Sequence, residues 1–252
     1  MEKNARTRIN TGNFWSTIAQ GMKRAAQSNQ RPVMVIDIDG TIAEHFLRTQ
    51  QIFIEAIKEL ELPESFKKNL NDFDPFAYDY NPKPNLIEMG LEGETLAKMI
   101  KYWNKYFFSN KFLHLDNQIE GGSEFVHKIL GLDIDVIYLT GRDEQNMGEG
   151  TRVWLTKNNF MNEHYRTSIL MKTNLDIENV DSKALSAQSI QKVGEPVLII
   201  DNEPCELEAM WDQFPRAATI LMDTPNSGRP ATLPDYTYKM KDYLELNSLF
   251  EG

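Results

Sequence analysis

Short apolar runs that stop abruptly on polar or acidic residues recur along the chain, and helical patterns fill the gaps between them. Val33 to Ile36 run straight into Asp37. DVIYLTGRD (135–143), RTSILMK (166–172), EPVLIIDNEP (195–204) and AATILMD (217–223) repeat the form. Runs of this length, rich in β-branched residues, read as buried strands. Apolar residues recur at helical spacing in SEFVHKIL, in GEGTRVWLTKNNF with Val153 and Trp154 inward, in ALSAQSIQKV, in ELEAMWDQF and in YLELNSLF. Strands alternating with helices predict an α/β protein with a Rossmann-like parallel sheet and helices on both faces.

The alternation is interrupted once. EHFLRTQQIFIEAIKEL predicts a helix with Phe46, Phe53, Ile57 and Leu60 along one side. Residues 62–85 are rich in Pro, Asn and Asp and read as turns and loop. Glu94 to Phe108 predicts a second helix, with Leu96, Met99, Ile100, Trp103 and Phe107 on one stripe. The chain thus divides into a core domain, 32–41 with 119–252, and a helical insertion, 42–118. A segment at 1–31 precedes them, in which Phe14, Trp15, Ile18 and Met22 mark an amphipathic helix.

Charge sharpens one point. The net charge is −10, but residues 1–31 carry Lys3, Arg6, Arg8, Lys23, Arg24 and Arg31 against Glu2 alone, a local +5 on a remainder of −15. That segment reads either as a helix packed outside the sheet or as a basic arm for a phosphate-rich partner. The acidic remainder offers no global surface for nucleic acid or membrane. A single Cys, Cys205, leaves no intrachain disulfide. No apolar run approaches the ~20 residues of a membrane span, and no apolar leader is visible, so the expectation is a cytoplasmic protein.

The chemistry collects at the strand ends. Asp37 and Asp39 fall on the same side where the first strand becomes a turn, and two such carboxylates call for a divalent metal or a shared proton. Gly40 permits a sharp turn and close approach to a ligand, and Thr41 adds a hydroxyl and an N–H. A calcium loop fails on spacing: counted from Asp37, position six is Ile42 and position twelve is Arg48. The Thr140 hydroxyl and the Gly141 N–H form a second place for a phosphoryl oxygen, and Arg142 either clamps substrate or braces its loop. Asp201 ends a further strand, followed by Asn202, Glu203 and Glu206.

DxDGT at 37–41, then TGR at 140–142 and the acidic strand end at 201 in that order, resembles the haloacid dehalogenase-like phosphohydrolases. The resemblance covers about 33–222 outside the insertion. It implies that Asp37 is the nucleophile and Asp39 the general acid/base. Thr41, Thr140, Gly141, Arg142 and a lysine would hold phosphate, and Mg²⁺ would sit on Asp37, the Asp39 carbonyl and Asp201. Lys183 is preferred for the lysine, with Lys172 the competitor. Where the family commonly has a second Asp, this chain has Asn202, so that ligand falls to Asn202, Glu203 or Glu206. The insertion would be a cap that selects substrate. Residues 168–211 are also similar to the phosphatase half of polynucleotide kinase-phosphatases. The expected activity is hydrolysis of a small phosphorylated metabolite or nucleotide. Phosphatase action on 3′ or 5′ nucleic-acid ends, phosphotransfer or phosphomutase chemistry, and a catalytically silent phosphate-binding protein are the alternatives.

Overall fold

Alternating side chains of the central strand divide the molecule into two layers. The computed structural model describes residues 11–71, 81–173, 176–248 and 250. Its strands are β1 (Arg31–Ile36), β2 (Ala43–Glu44), β3 (Asn117–Gln118), β4 (Asp135–Asp143), β5 (Thr167–Lys172), β6 (Gly194–Asp201), β7 (Ala218–Met222) and β8 (Tyr238–Met240). Six of them form one sheet in the order β5-β4-β1-β6-β7-β8, with every neighbouring pair parallel. Met34 and Ile36 of β1 and Val136 and Tyr138 of β4 enter one apolar layer. Val33, Val35, Ile137 and Leu139 enter the other, as the period of two requires.

Helices cover both faces. On the first lie α1 (Thr11–Gln27), α6 (Gly122–Gly131), α7 (Glu144–Lys157) and α11 (Leu244–Ser248), contributing Phe14, Ile18, Phe125, Trp154 and Leu246. On the second, α9 (Ala187–Val193) and α10 (Pro204–Gln213) contribute Ile190, Leu207 and Met210. A buried apolar side chain of this size contributes about 1.5–3 kcal/mol, so each layer commits its helices firmly. α8 (Asn179–Leu185) precedes α9, and the expected single helix at 184–193 is broken at Ser186 between them.

α1 resolves part of the question raised by the basic segment. Phe14 and Ile18 are buried against the sheet. Arg24 pairs with Glu195 at 3.5 Å, and Arg31 pairs with Asp133 and Asp135, each at 2.9 Å. Arg31, Asp135 and Glu195 lie at or beside the starts of their strands, the edge opposite Asp37 and Asp201. Lys3, Arg6 and Arg8 lie outside the described residues.

The insertion has its own core. α2 (Phe46–Glu59), α3 (Glu64–Asn71), α4 (Pro82–Glu88) and α5 (Gly93–Phe107) pack about Phe53, Phe66, Leu86, Met99 and Trp103. The antiparallel pair β2–β3 stands where this segment leaves and rejoins the sheet domain. α3 and α4 fall where turns and loop were expected. Phe66 and Leu70 form an i,i+4 pair, but the Asn and Pro around them mask it. Pro82 sits in the first turn of α4, where its missing N–H costs nothing, and Asn81 caps that turn through the Lys83 N–H at 3.0 Å. Residues 72–80 lie outside the described set. Two smaller expectations also change. Val153 is 58% exposed, because Trp154 beside it takes the inward position. β8 was not expected, since three residues with Lys239 pointing outward are too short for a pattern.

Candidate active site

The C-terminal ends of β1, β4 and β6 converge, and two ionic clusters meet there. In parallel sheets this is the edge at which ligands bind. In the first cluster, Lys183 of α8 is buried among three carboxylates. Its Nζ donates to Asp37 Oδ1 at 2.8 Å and Asp201 Oδ2 at 2.6 Å, and lies 2.7 Å from Glu206 Oε2. Burial drives the Asp37 carboxyl up to about 6 despite the Lys183 charge. Burial also opposes the Lys183 ammonium, but the three carboxylates outweigh it and hold its pKa well above the usual value. Among the described residues, the remaining Asp37 oxygen, Oδ2, accepts only a long 3.4 Å bond from the Thr41 hydroxyl.

The second cluster surrounds Asp39. Arg142 donates from Nε to Oδ2 and from Nη2 to Oδ1, both at 2.7 Å. Arg48 of α2 donates from Nη2 to the same Oδ1 at 2.9 Å. Asp116 completes the group, accepting from Arg142 Nη2 at 2.8 Å and lying 3.0 Å from Arg48 Nε. Burial works to raise the Asp39 pKa, yet Arg142 and then Arg48 overcome it and hold the carboxyl well below the usual range. Asp39 therefore stands as a carboxylate, the form of a base rather than of a proton donor. Asp116, more deeply enclosed, is pushed up to about 6 by burial.

Turns hold these groups in place. Gly40 has φ +74°, and a Cβ there would lie 2.2 Å from Asn202 Nδ2. Asn202 donates to the Pro225 carbonyl at 2.9 Å, and the Thr224 hydroxyl donates to the Gly40 carbonyl at 2.6 Å. Gly40→Ala is accordingly expected to destabilise the protein by about 1–3 kcal/mol and to lower activity through displacement of Asn202. Thermal denaturation and steady-state rates check this; a variant as stable and active as the parent would contradict it.

The structure brings Asp37, Asp39, Thr41, Arg142, Lys183 and Asp201 together. Thr140 is buried at the end of β4, where its Oγ1 accepts from the Arg142 N–H at 3.1 Å. Gly141 lies against Asn179, which a Cβ would meet at 2.5 Å. Lys172 instead reaches Asn179 Oδ1 at 3.3 Å, which leaves the lysine position to Lys183. Lys183 stands in the last turn of α8 rather than opening a helix. Of the three candidates beside Asp201, only Glu206 joins the cluster. Glu203 accepts from the Ser227 N–H and hydroxyl at 2.9 and 2.6 Å, and Asn202 holds the same loop.

Arg48 and Asp116 were not found from the sequence. The one signal for Arg48 is its place on a helix face with Thr49, Ile52 and Phe53, where a charge is out of pattern.

Oxygens of Asp37, Asp201 and Glu206 lie within 4.8 Å of one another. Hard carboxylate donors at that spacing suit a hard divalent cation. Five carboxylates of the two clusters face four cations, Arg48, Arg142, Lys183 and Arg229, the last reaching Glu206 at 3.4 Å, which leaves a formal excess of one negative charge. The residues present thus fit a divalent ion.

This constellation, at the strand ends of a parallel α/β sheet interrupted by a helical insertion after β1, defines the class of fold. The chain has the haloacid dehalogenase-like fold. It is similar to a haloacid dehalogenase-like family hydrolase from Streptococcus pneumoniae, with TM-score 0.56 and 13% identity over 88% of this chain and 99% of that one. A putative phosphatase from Clostridium difficile gives TM-score 0.57 and 11% identity over 87% and 98%. Protein Tyrosine Kinase A from Mycobacterium tuberculosis gives TM-score 0.58 and 12% identity over 88% and 99%. The sequence matches no family model and no curated protein. Neighbours named both phosphatase and kinase show that the fold alone does not choose the chemistry, which the residues of the site decide. No helix among the described residues is long and apolar enough to cross a membrane.

Proposed function

We propose that the protein is a metal-dependent phosphomonoester hydrolase that transfers a phosphoryl group first to Asp37 and then to water. The observation that carries this reading is the asymmetry of Asp37. Lys183 anchors one oxygen, and among the described residues the other is held only by a 3.4 Å contact with Thr41, at the strand tip. Asp37 Oδ2 forms a bond to phosphorus as the ester P–O bond breaks, and the alcohol oxygen departs with the bonding pair and takes a proton from solvent. Water then attacks the aspartyl-phosphate, its proton passes to the Asp39 carboxylate and on to solvent, and the Asp37–phosphorus bond breaks to restore the Asp37 carboxylate. A base so placed contributes about 10²–10⁴ in rate. Lys183 offsets charge on the phosphoryl oxygens, with Thr41 and Thr140 as hydroxyl partners. Asp37, Asp201 and Glu206 would hold a Mg²⁺ ion, which would supply the remaining positive charge for a dianionic phosphate.

A small phosphorylated metabolite or nucleotide is the substrate class we favour over a nucleic-acid end. Arg24 and Arg31 of the basic segment are committed to ion pairs at the far edge of the sheet, and buried Arg48 ties the insertion down beside Asp39. The test is release of phosphate from p-nitrophenyl phosphate with Mg²⁺, followed by a panel of phosphorylated metabolites and 3′- or 5′-phosphorylated oligonucleotides. Activity abolished by EDTA and restored by Mg²⁺ is expected, with metabolites preferred. Activity unaffected by EDTA would end the metal assignment, and exclusive use of oligonucleotides would reverse the substrate class.

A further inference from the structure

Among the described residues, Arg48 is the one cation of the site supplied by the insertion, and it is completely buried. Its Nη2 donates to Asp39 at 2.9 Å and its Nη1 to the Phe107 carbonyl at 3.2 Å, while its Nε lies 3.0 Å from Asp116. The guanidinium carbon stands 4.1 Å from the centroid of the Phe107 ring. Each nitrogen thus lies within 3.2 Å of a protein oxygen, two of them as hydrogen-bond donors, and one face of the buried guanidinium is covered by a ring. The partners belong to separate parts of the chain. Phe107 ends α5, and Asp116 immediately precedes β3. The Asp116 carbonyl accepts from Trp154 Nε1 of α7 at 2.7 Å. Arg142 of β4 grips Asp39 from the sheet and reaches Asp116 as well.

We propose that Arg48 is a positioning residue that fixes Asp39 from the insertion, so that the DxDGT turn is correctly set only while α2 and the β2–β3 stem are seated on the core. The proposal rests on the hydrolase reading for the role of Asp39, but not for the tie itself. Loss of Arg48 leaves Asp39 held from one side only, and a displacement of about 1 Å in such a group costs on the order of 10²-fold in rate. Removing a cation from a buried network also exposes uncompensated charge at the stem.

The experiment compares Arg48→Met and Arg48→Lys in the parent and in an Asp39→Asn background, with p-nitrophenyl phosphate and Mg²⁺. The residual rate in Asp39→Asn, in which water attacks the aspartyl-phosphate without its base, is read at raised enzyme concentration. Arg48→Met is expected to lower kcat on the order of 10²-fold with KM changed less than about threefold. Arg48→Lys should recover part of that loss. In the Asp39→Asn background the same Met substitution should change kcat by less than about threefold, because its effect passes through Asp39. Amide hydrogen exchange supplies a readout that does not need activity. Residues 37–45 and 116–118 should exchange faster in Arg48→Met, with β1, β4 and β6 unchanged. An equal loss of rate in both backgrounds, or an unaltered kcat, would overturn the positioning role. Unchanged exchange at the stem, or faster exchange throughout the chain, would overturn the tie. A parent without any phosphatase activity would refute the hydrolase reading and the catalytic role of Asp39 with it, and exchange would then decide the tie alone.

Discussion

Asp37→Asn is expected to abolish turnover, by at least about 10³-fold in kcat, while leaving the protein as stable as the parent or slightly more so. The two halves of this result come from one feature. Asp37 is buried among like charges, and burial raises its pKa to about 6, so the folded protein bears a cost for its ionised form. Asparagine fills nearly the same space without that cost, and Lys183 keeps Asp201 and Glu206 as partners. Asparagine is nevertheless a poor nucleophile toward phosphorus. Rate and thermal midpoint measured on the same preparation separate chemistry from folding. A variant that retains turnover near the parent's contradicts the mechanism. One that loses turnover together with its fold contradicts the account of Asp37 as an energetic burden.

Lys183→Met should have the opposite signature on stability. The ammonium is the cation lying between Asp37, Asp201 and Glu206, and its side chain is 2% exposed. Breaking a buried ionic cluster by removing one partner costs about 3–5 kcal/mol, because the remaining charges are left uncompensated. A large fall in thermal midpoint is therefore expected in metal-free buffer, along with loss of activity. Saturating Mg²⁺ should recover more stability in the variant than in the parent, since a ligand that binds only the folded state stabilises it by mass action. Equal stability of variant and parent without metal would show that Lys183 does not bridge the three acids.

The sheet was legible because strand patterns are local. Val33 to Ile36 and Val197 to Ile200 are continuous apolar runs ended by an acid, and their layer assignments follow from alternation alone. Asp37, Asp39 and Asp201 were visible for the same reason, each at the point where such a run stops. Arg48 and Asp116 were not, because their meeting depends on how α2 and the stem settle against β4, and neither has a local pattern that fixes this. An arginine on a helix ordinarily carries its charge to solvent along an apolar stem, whereas this one is held under Phe107. The choice of Glu206 over Glu203 turned on the loop at 224–229, which captures Glu203 from more than twenty residues downstream. In the insertion, α3 and α4 were hidden by Asn and Pro that punctuate the sequence without preventing two short helices.

The central claim is a covalent phosphoryl group on Asp37, and chemical trapping addresses it directly. Enzyme turning over p-nitrophenyl phosphate with Mg²⁺ is quenched and treated with borohydride, which reduces an acyl phosphate to an alcohol. Peptide mass spectrometry should then find homoserine in place of aspartate at position 37, dependent on substrate and absent from Asp37→Asn. Phosphate release at the full rate with residue 37 unmodified, or with the reduced product at another carboxylate, would contradict the account.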